Sequence, residues 1–355
     1  MHVPDGFIDA PVSIAAGVAA AGAVAVSLRG ARRELDERAA PLAGLVAAFI
    51  FAVQMLNFPV AAGTSGHLLG GALAAILVGP YTGVLCVSVV LLMQGVLFAD
   101  GGLTALGVNV MNMAVVTVVV AYAVFRGLLK LLPDTRRSVT VAAFAGALLS
   151  VPGAAVMFTA LYALGGTTDV PLGKVFTAMV GVHVLIGIGE AVITAATVGA
   201  VLAVRPDLVH GARGLAAPLK LRVGGELVDA PAAAPAAVPA AARSAKPVWI
   251  TGLVTALVLA GFVSFYASTS PDGLEKVAAD KGIDQKVKEH ASADSPLADY
   301  SVKDVGDARL SGGLAGVIGV GATVAVGTGI FWAVRRRRAE DLTATSTGST
   351  ASSAV

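Results

Sequence analysis

The sequence predicts an all-α protein that crosses a membrane several times. Of its 355 residues, 56% are hydrophobic and only 14% carry charge, which is typical of polytopic membrane proteins. Its apolar stretches are long enough to form membrane-crossing helices and are separated by short polar segments. The single cysteine, Cys86, lies within an apolar stretch, which excludes disulfides and paired-thiolate metal sites. The net charge of +2 gives no indication of a nucleic-acid partner.

Nine apolar stretches are expected to form helices, seven before a composition break and two after it. The predicted architecture is therefore a seven-helix membrane bundle fused to a two-helix unit. The third stretch is short and ends in a Gly-Pro turn, so a bent or half-buried segment is expected there. The expected spans are 11–28, 41–57, 67–79, 82–98, 104–125, 139–164, 175–204, 247–267 and 311–334.

Composition divides the chain into four segments. Residues 1–205 are the seven-helix membrane domain, and residues 206–246 are an Ala/Pro-rich cytoplasmic linker. Residues 247–338 form the two-helix module, whose polar connection at 268–310 is expected outside the membrane. The Ser/Thr-rich tail at 339–355 is expected to be disordered in the cytoplasm.

Cationic residues predict the orientation of the chain in the membrane. They follow the first, fifth, seventh and last apolar stretches, whereas two of the alternate short loops contain none. By the positive-inside rule the N-terminus lies outside and the C-terminus in the cytoplasm of a multi-pass cell-membrane protein. The residues are Arg29, Arg32, Arg33, Arg38, Arg126, Lys130, Arg136, Arg137, Arg205, Arg213 and Arg335 to Arg338.

The first two residues form a potential metal chelate. The Met1 amine and the His2 amide nitrogen would close a five-membered ring on a cation, and the His2 amide with Nδ1 a six-membered one. Three nitrogen atoms then lie in one plane, an arrangement that suits Ni(II) or Cu(II) better than Zn(II). The turn residues Pro4, Asp5 and Gly6 allow the N-terminus to fold back onto the protein.

His67 is the natural fourth nitrogen of such a site. It begins a predicted helix on the same side of the membrane as the N-terminus, after Gly63 and Gly66, which let backbones approach closely. The sequence therefore predicts a metal site at Met1, His2 and His67.

Polar residues in or beside the apolar stretches are candidates for orienting these ligands. Gln94, Asp100, Asn109 and Asn112 are such residues, and the last two lie three apart on one helix face. They could hydrogen-bond to the imidazoles and offset the charge of the metal, or simply join helices.

His183 and Glu190 lie on one face of the seventh predicted helix and admit a functional or a packing role. Gly63-Thr64-Ser65-Gly66 also matches the GxSG pattern of intramembrane serine proteases, with His183 as a possible base. A protease is thus the alternative from another class of protein. That interpretation leaves the N-terminal motif unexplained.

Several ordered motifs together resemble the nickel/cobalt substrate-binding component, the M protein, of energy-coupling-factor transporters. The resemblance covers about 1–205, and the later unit resembles the accessory N component, fused to it. The motifs are Met1 to Phe7, Thr64 to Gly70, Leu97 to Gly107, His183 to Glu190 and the Pro271-Asp272-Gly273-Leu274-Glu275 box.

The resemblance implies a transporter, not an enzyme, with Ni²⁺ or Co²⁺ as its transported substrate. It implies the terminal amine, backbone nitrogen and imidazole at Met1 and His2, with His67, as ligands. It also implies partners: a transmembrane coupling (T/Q) protein and two cytoplasmic ABC-type ATPases. Cobalt uptake for cobalamin synthesis is the alternative within the family.

Residues 48–52 resemble a small-residue docking seam for the coupling protein, although generic helix packing explains them as well.

Overall fold

The computed structural model describes residues 1–35, 39–61, 63–215, 220–223, 226–229 and 245–351. Within these ranges the protein is predominantly helical, so the predicted all-α membrane class is confirmed. Seven helical stretches of the described chain are long and apolar enough to cross a membrane. They are Ala10–Glu34, Pro80–Leu97, Leu106–Leu129, Arg136–Gly165, Leu172–Val204, Lys246–Tyr266 and Ala308–Arg337.

The first module contains α1 to α8. Their bounds are α1 Ala10–Glu34, α2 Ala39–Gln54, α3 Gly71–Val78, α4 Pro80–Leu97, α5 Leu106–Asn109, a π-helix Val110–Val116, α6 Thr117–Leu129, α7 Arg136–Gly165 and α8 Leu172–Val204. Helix α5, the π-helix and α6 follow one another without a break in the chain. Short 3-10 helices follow α8 at Pro206–Leu208 and His210–Leu215.

The second module contains α9 to α11. Their bounds are α9 Lys246–Gly261, α10 Gly273–Lys281 and α11 Ala308–Ala351, with 3-10 helices at Val263–Tyr266, Asp284–Lys286 and Ala298–Tyr300. The connection that was expected to be a polar loop thus carries a helix, α10. Its N-terminus has a complete capping box, in which the Asp272 side chain accepts from the backbone and Glu275 reaches back to the Asp272 amide.

Two of the nine expected spans are shorter than predicted. The helix α2 has 16 residues and α3 only 8, so neither is among the seven long candidates. Gly70 and Gly79, at φ +87° and +100°, turn the backbone at either end of α3. All eight residues of α3 are buried, and the helix contacts α4, α6 and α7 inside the bundle.

A small antiparallel hairpin on the approach to α3 was not predicted. Strand β1 (Phe58–Ala61) pairs with β2 (Thr64–Gly66), with Phe58 opposite Gly66. His67 follows β2 directly, so the hairpin sets the position from which its imidazole reaches the interior.

The second module packs along α2. Both α9 and α11 contact α2, and they contact each other. A side chain at Gly316 would overlap the carbonyl oxygen of Ala260, so α9 and α11 cross closely through small residues. Ala48 and Ala52 of α2 are fully buried. The small-residue seam therefore packs within this chain, as generic helix packing predicts.

The linker and tail differ from expectation where they are described. The predicted linker begins with the 3-10 helices and a hairpin of β3 (Lys220–Val223) and β4 (Glu226–Asp229). Helix α11 continues past the predicted tail boundary to Ala351. The Ala/Pro-rich residues 230–244, Arg38 and residues 352–355 lie outside the described ranges.

Candidate metal centre

The N-terminal segment folds back and is threaded into the first module. Gly102 donates its N–H to the Val3 carbonyl over 2.9 Å, and Thr167 donates to the Phe7 carbonyl over 3.1 Å. The chain turns at Asp5 and Gly6, with Gly6 at φ +93°, as predicted for this sequence. As a result, Met1 is only 2% exposed.

Asp5 anchors this segment to the loop after α4. Its Oδ1 accepts the backbone N–H of Thr104 over 2.8 Å and also the Thr104 hydroxyl. Gly102 lies so close that a side chain there would overlap the Asp5 amide nitrogen. A glycine at this position is what lets the two backbones meet.

The Met1 amine lies against His67. The amine nitrogen is 2.8 Å from His67 Nε2, and His67 is 5% exposed. His67 Nδ1 lies 2.9 Å from the Leu68 carbonyl oxygen and donates its proton there, since the carbonyl can only accept. This bond leaves a lone pair on Nε2, which accepts from the Met1 ammonium.

Glu190 fixes the loop that carries His67. Its carboxylate, on α8, accepts the backbone N–H groups of Leu69 over 2.7 Å and of Gly70 over 3.0 Å. From the sequence alone, Glu190 could have either a functional role or a role in helix packing. In the structure it contacts the backbone beside His67, so it acts as a positioning residue for that imidazole.

His2 lies between Gln94 and Asp100. Its Nε2 is 3.0 Å from Gln94 Oε1, and its Nδ1 is 3.3 Å from Asp100 Oδ1. The His2 and His67 rings stack with centroids 5.2 Å apart. Burial lowers the pKa of His2 to about 4, although Asp100 acts in the opposite direction. The imidazole is therefore neutral near pH 7.

Asn109 is the predicted asparagine that hydrogen-bonds to the N-terminal segment in the described residues. Its Oδ1 accepts the Val3 N–H over 2.7 Å, and its Nδ2 donates to the Val3 carbonyl over 3.1 Å. Asn112 is buried in the π-helix, and neither atom of its amide has a hydrogen-bond partner among the described residues. Gln94, Asp100 and Asn109 thus contact the first three residues, whereas Asn112 forms no hydrogen bond to them.

Asp272 of the second module completes the cluster, and sequence reasoning missed it. Its Oδ2 is 2.6 Å from the Met1 amine and 3.5 Å from His67 Nε2. Burial alone would raise the pKa of this carboxyl, but the Met1 ammonium and His67 together hold it well below its usual range. Single ligand atoms of His2, His67 and Asp272 lie within 4.8 Å of one another. In the sequence, the PDGLE box indicated only a resemblance to the accessory unit and did not predict that Asp272 lies at the metal site.

The second module covers this cluster from outside the bundle. Ser65 donates its N–H to Pro271 over 2.9 Å, and Lys288 donates its N–H to the Asp5 carbonyl over 2.9 Å. Tyr300 donates its hydroxyl to Asp100 Oδ2 over 2.6 Å. A cavity of about 690 Å³ lies between the modules. Its lining includes His2, His67, Asp100, Asp272, Tyr300 and Arg309.

The protease alternative has no support in the geometry. Ser65 donates its hydroxyl to the Ser270 carbonyl over 2.7 Å, toward the second module. His183 Nδ1 donates to the Met179 carbonyl, and its Nε2 has no partner among the described residues. No hydrogen bond joins this hydroxyl to this imidazole in the described part of the chain, so they do not form a nucleophile–base pair.

The fold and the cluster together define a polytopic membrane protein with a buried, nitrogen-rich candidate metal site. Residues 2–208 match the family described as the cobalt uptake substrate-specific transmembrane region, CbiM, and residues 246–336 match the PDGLE domain. The chain belongs to the CbiM family, with a PDGLE domain fused to it, which confirms the resemblance seen in the motifs. It is a component of nickel or cobalt transport, not an enzyme, and the metal ion is its transported substrate.

Relatives and solved structures agree with this assignment. The chain is 40% identical to a putative metal transport protein of Haloquadratum walsbyi, over 59% of this chain and 93% of the relative. It is 42% identical to a putative fused nickel transport protein, NikMN, of Archaeoglobus fulgidus, over 59% and 68%. A crystal structure of a truncated transition metal transporter superposes with a TM-score of 0.50 at 29% identity, covering 57% of this chain and 99% of that one.

Proposed function

We propose that the Met1 amine, the His2 amide, His2 Nδ1 and His67 Nε2 bind Ni(II) or Co(II) in one plane. The observation that carries this proposal is the distance of 2.8 Å between the Met1 amine and His67 Nε2. Two nitrogen ligands about 2 Å from one metal ion and at a right angle to each other are about 2.8 Å apart. The fourth nitrogen already lies at the spacing that neighbouring ligands of a planar site require.

The surrounding contacts support the same ligand set. The two bonds of Asn109 to Val3 hold the backbone next to the His2 amide. A proton on His2 Nε2 can be donated to Gln94 Oε1, which leaves the lone pair on Nδ1, the nitrogen that closes the six-membered ring. The metal would displace one proton from the Met1 ammonium and one from the His2 amide.

We infer further that the chain is the substrate-binding component of an energy-coupling-factor uptake transporter. It would take up the metal outside and release it inward with a transmembrane coupling protein and two cytoplasmic ABC-type ATPases. Family membership supports this role, as does the sequence, which contains no GxxxxGK[ST] phosphate loop of its own. The arginines near the end of α1, after α8 and at positions 335 to 338 within α11 support an outer N-terminus and a cytoplasmic C-terminus.

Nickel is the favoured substrate, with cobalt for cobalamin synthesis as the second candidate. A planar four-nitrogen site suits Ni(II), whose d-electron configuration favours tetragonal geometry. The fused relatives of Archaeoglobus fulgidus and Rhodobacter capsulatus are both named as nickel transport proteins, the first of them putatively. Uptake of radioactive nickel and cobalt by cells that coexpress the partner subunits distinguishes the two metals.

Calorimetry on the purified full chain tests the ligand set. A one-residue N-terminal extension moves the imidazole out of the six-membered ring, and His67→Ala removes the fourth nitrogen. Each is expected to weaken nickel binding by roughly 100-fold or more. Ser65→Ala is the matched control in the same loop and should leave the affinity within about threefold. It removes the hydroxyl contacts to the Ser270 and Pro271 carbonyls but keeps the backbone bond to Pro271. Equal affinity of the native and extended chains would contradict the chelate.

A further inference from the structure

The PDGLE loop presents one carboxylate oxygen to the nitrogen atoms of the proposed site. Asp272 Oδ2 is 2.6 Å from the Met1 amine and 3.5 Å from His67 Nε2, and those two nitrogens are 2.8 Å apart. The three atoms form a triangle whose circumradius, from these edges, is about 1.8 Å, so a cation about 2 Å from each atom fits just above its plane. These are the distances of three ligands on one metal ion.

The second oxygen of the Asp272 carboxylate, Oδ1, accepts hydrogen bonds from the first turn of its own helix, α10. Oδ1 accepts the N–H groups of Leu274 over 2.7 Å and of Glu275 over 2.8 Å. Glu275 in turn accepts the Asp272 N–H over 2.8 Å, and Pro271 is tied to Ser65. The capping box therefore fixes the carboxylate and leaves Oδ2 directed at the metal site.

Electrostatics favours a carboxylate ligand here. A divalent cation bound to a deprotonated amide and three neutral nitrogens keeps one positive charge, and a buried unpaired charge is costly. The Asp272 side chain is 11% exposed, compared with 27% for Asp100. Asp272 is thus less solvated than Asp100, and it contacts two proposed ligands directly.

We propose that Asp272 Oδ2 is a further ligand of the transported cation, bound from above the plane of the four nitrogens. The proposal rests on the proposed function, because it adds a fifth ligand to that site. The fused PDGLE module then forms part of the metal centre instead of lying beside it. An axial oxygen makes a planar Ni(II) centre five-coordinate and favours its paramagnetic state over the diamagnetic one. This module then also influences which metal the site prefers.

The magnetism of the nickel-loaded full chain tests the proposal. The wild-type protein with a native N-terminus is loaded with Ni(II), and its magnetic moment and visible absorption are recorded alongside calorimetric affinity. Asp272→Ser keeps an N-cap oxygen for α10 but has no second oxygen to reach the site. Asp280→Ser is the matched control, since Asp280 lies on the same helix and pairs with Lys276 at the surface.

The nickel-loaded wild type is expected to be paramagnetic. Asp272→Ser is expected to be diamagnetic and to bind nickel roughly 10- to 100-fold more weakly. Asp280→Ser should behave like the wild type in both measurements. A wild type whose magnetism and visible absorption match those of Asp272→Ser would overturn the axial ligand and leave the four-nitrogen site standing. Tighter binding by Asp272→Ser would likewise overturn it, because Asp272 would then be only the partner of the Met1 ammonium. A wild type that binds neither nickel nor cobalt would refute the proposed function itself.

Discussion

Glu190, in the middle of α8, accepts the backbone N–H of Leu69 over 2.7 Å, 121 residues away in the sequence. Its second oxygen accepts from Gly70. A buried carboxylate is stable only when it is hydrogen-bonded in this way, so the bond fixes the course of the chain just after His67. The packing of α8 and the position of a proposed metal ligand are thereby coupled.

Glu190→Gln is therefore expected to weaken nickel binding without touching the metal. Glutamine offers one acceptor oxygen in place of two, so one of the two N–H groups is left unpaired and the His67 loop shifts. The expected loss of affinity is roughly 10- to 100-fold by calorimetry. Thr177→Val, which removes an exposed hydroxyl bond on the same helix, is the control. Unchanged affinity in Glu190→Gln would mean that His67 is held by other contacts.

Gly102→Ala is expected to dislodge the N-terminal segment. The new side chain would overlap the Asp5 backbone nitrogen, which cannot move aside as a flexible side chain could. Nickel affinity should fall by roughly 100-fold, because the chelate depends on the docked N-terminus. Gly127→Ala in α6 is the matched control, since nothing lies near its added carbon. If the two variants bind nickel equally well, the docking of Asp5 against Gly102 does not support the site.

Nickel binding should weaken as the pH falls, with two protons released per metal. Because burial lowers the pKa of His2 to about 4, its imidazole carries no proton that nickel must displace near neutrality. His67 Nδ1 donates to the Leu68 carbonyl, so its Nε2 offers a lone pair to the Met1 amine. Only the amine and amide protons remain, so the affinity should fall by up to about 100-fold per pH unit. Calorimetry in buffers of different ionisation enthalpy counts these protons, and a count of three or more would mean that an imidazole is charged.

Copper(II) should bind at least as tightly as nickel, and zinc should compete poorly. Copper shares the tetragonal preference and stands higher in the affinity order. Zinc prefers a tetrahedral arrangement, which a planar chelate of three nitrogens opposes. A competition series at fixed pH measures the order. Displacement of nickel by an equal concentration of zinc would rule out the planar chelate and require another set of partners for His2 and His67.

The sequence by itself determined the features that arise from composition and from neighbouring residues. Apolar stretches of sufficient length predicted the all-α membrane class, because lipid requires backbone groups to bond within the helix. The chelating potential of Met1 and His2 is a matter of adjacent atoms, so it could be read directly. His67 could be proposed as a ligand because the positive-inside rule predicts it on the same side of the membrane as these two residues.

Only the tertiary structure decided which distant residues meet. No local sequence pattern shows that Glu190 accepts a hydrogen bond from Leu69 instead of only packing α8 against its neighbours. Nor does any local pattern show that Asp272 contacts Met1, 271 residues away in the sequence. The eight-residue length of α3 likewise depends on glycine turns and on burial by neighbouring helices. Such contacts follow from how the helices of both modules pack, and helix periodicity specifies a buried face without naming its partner.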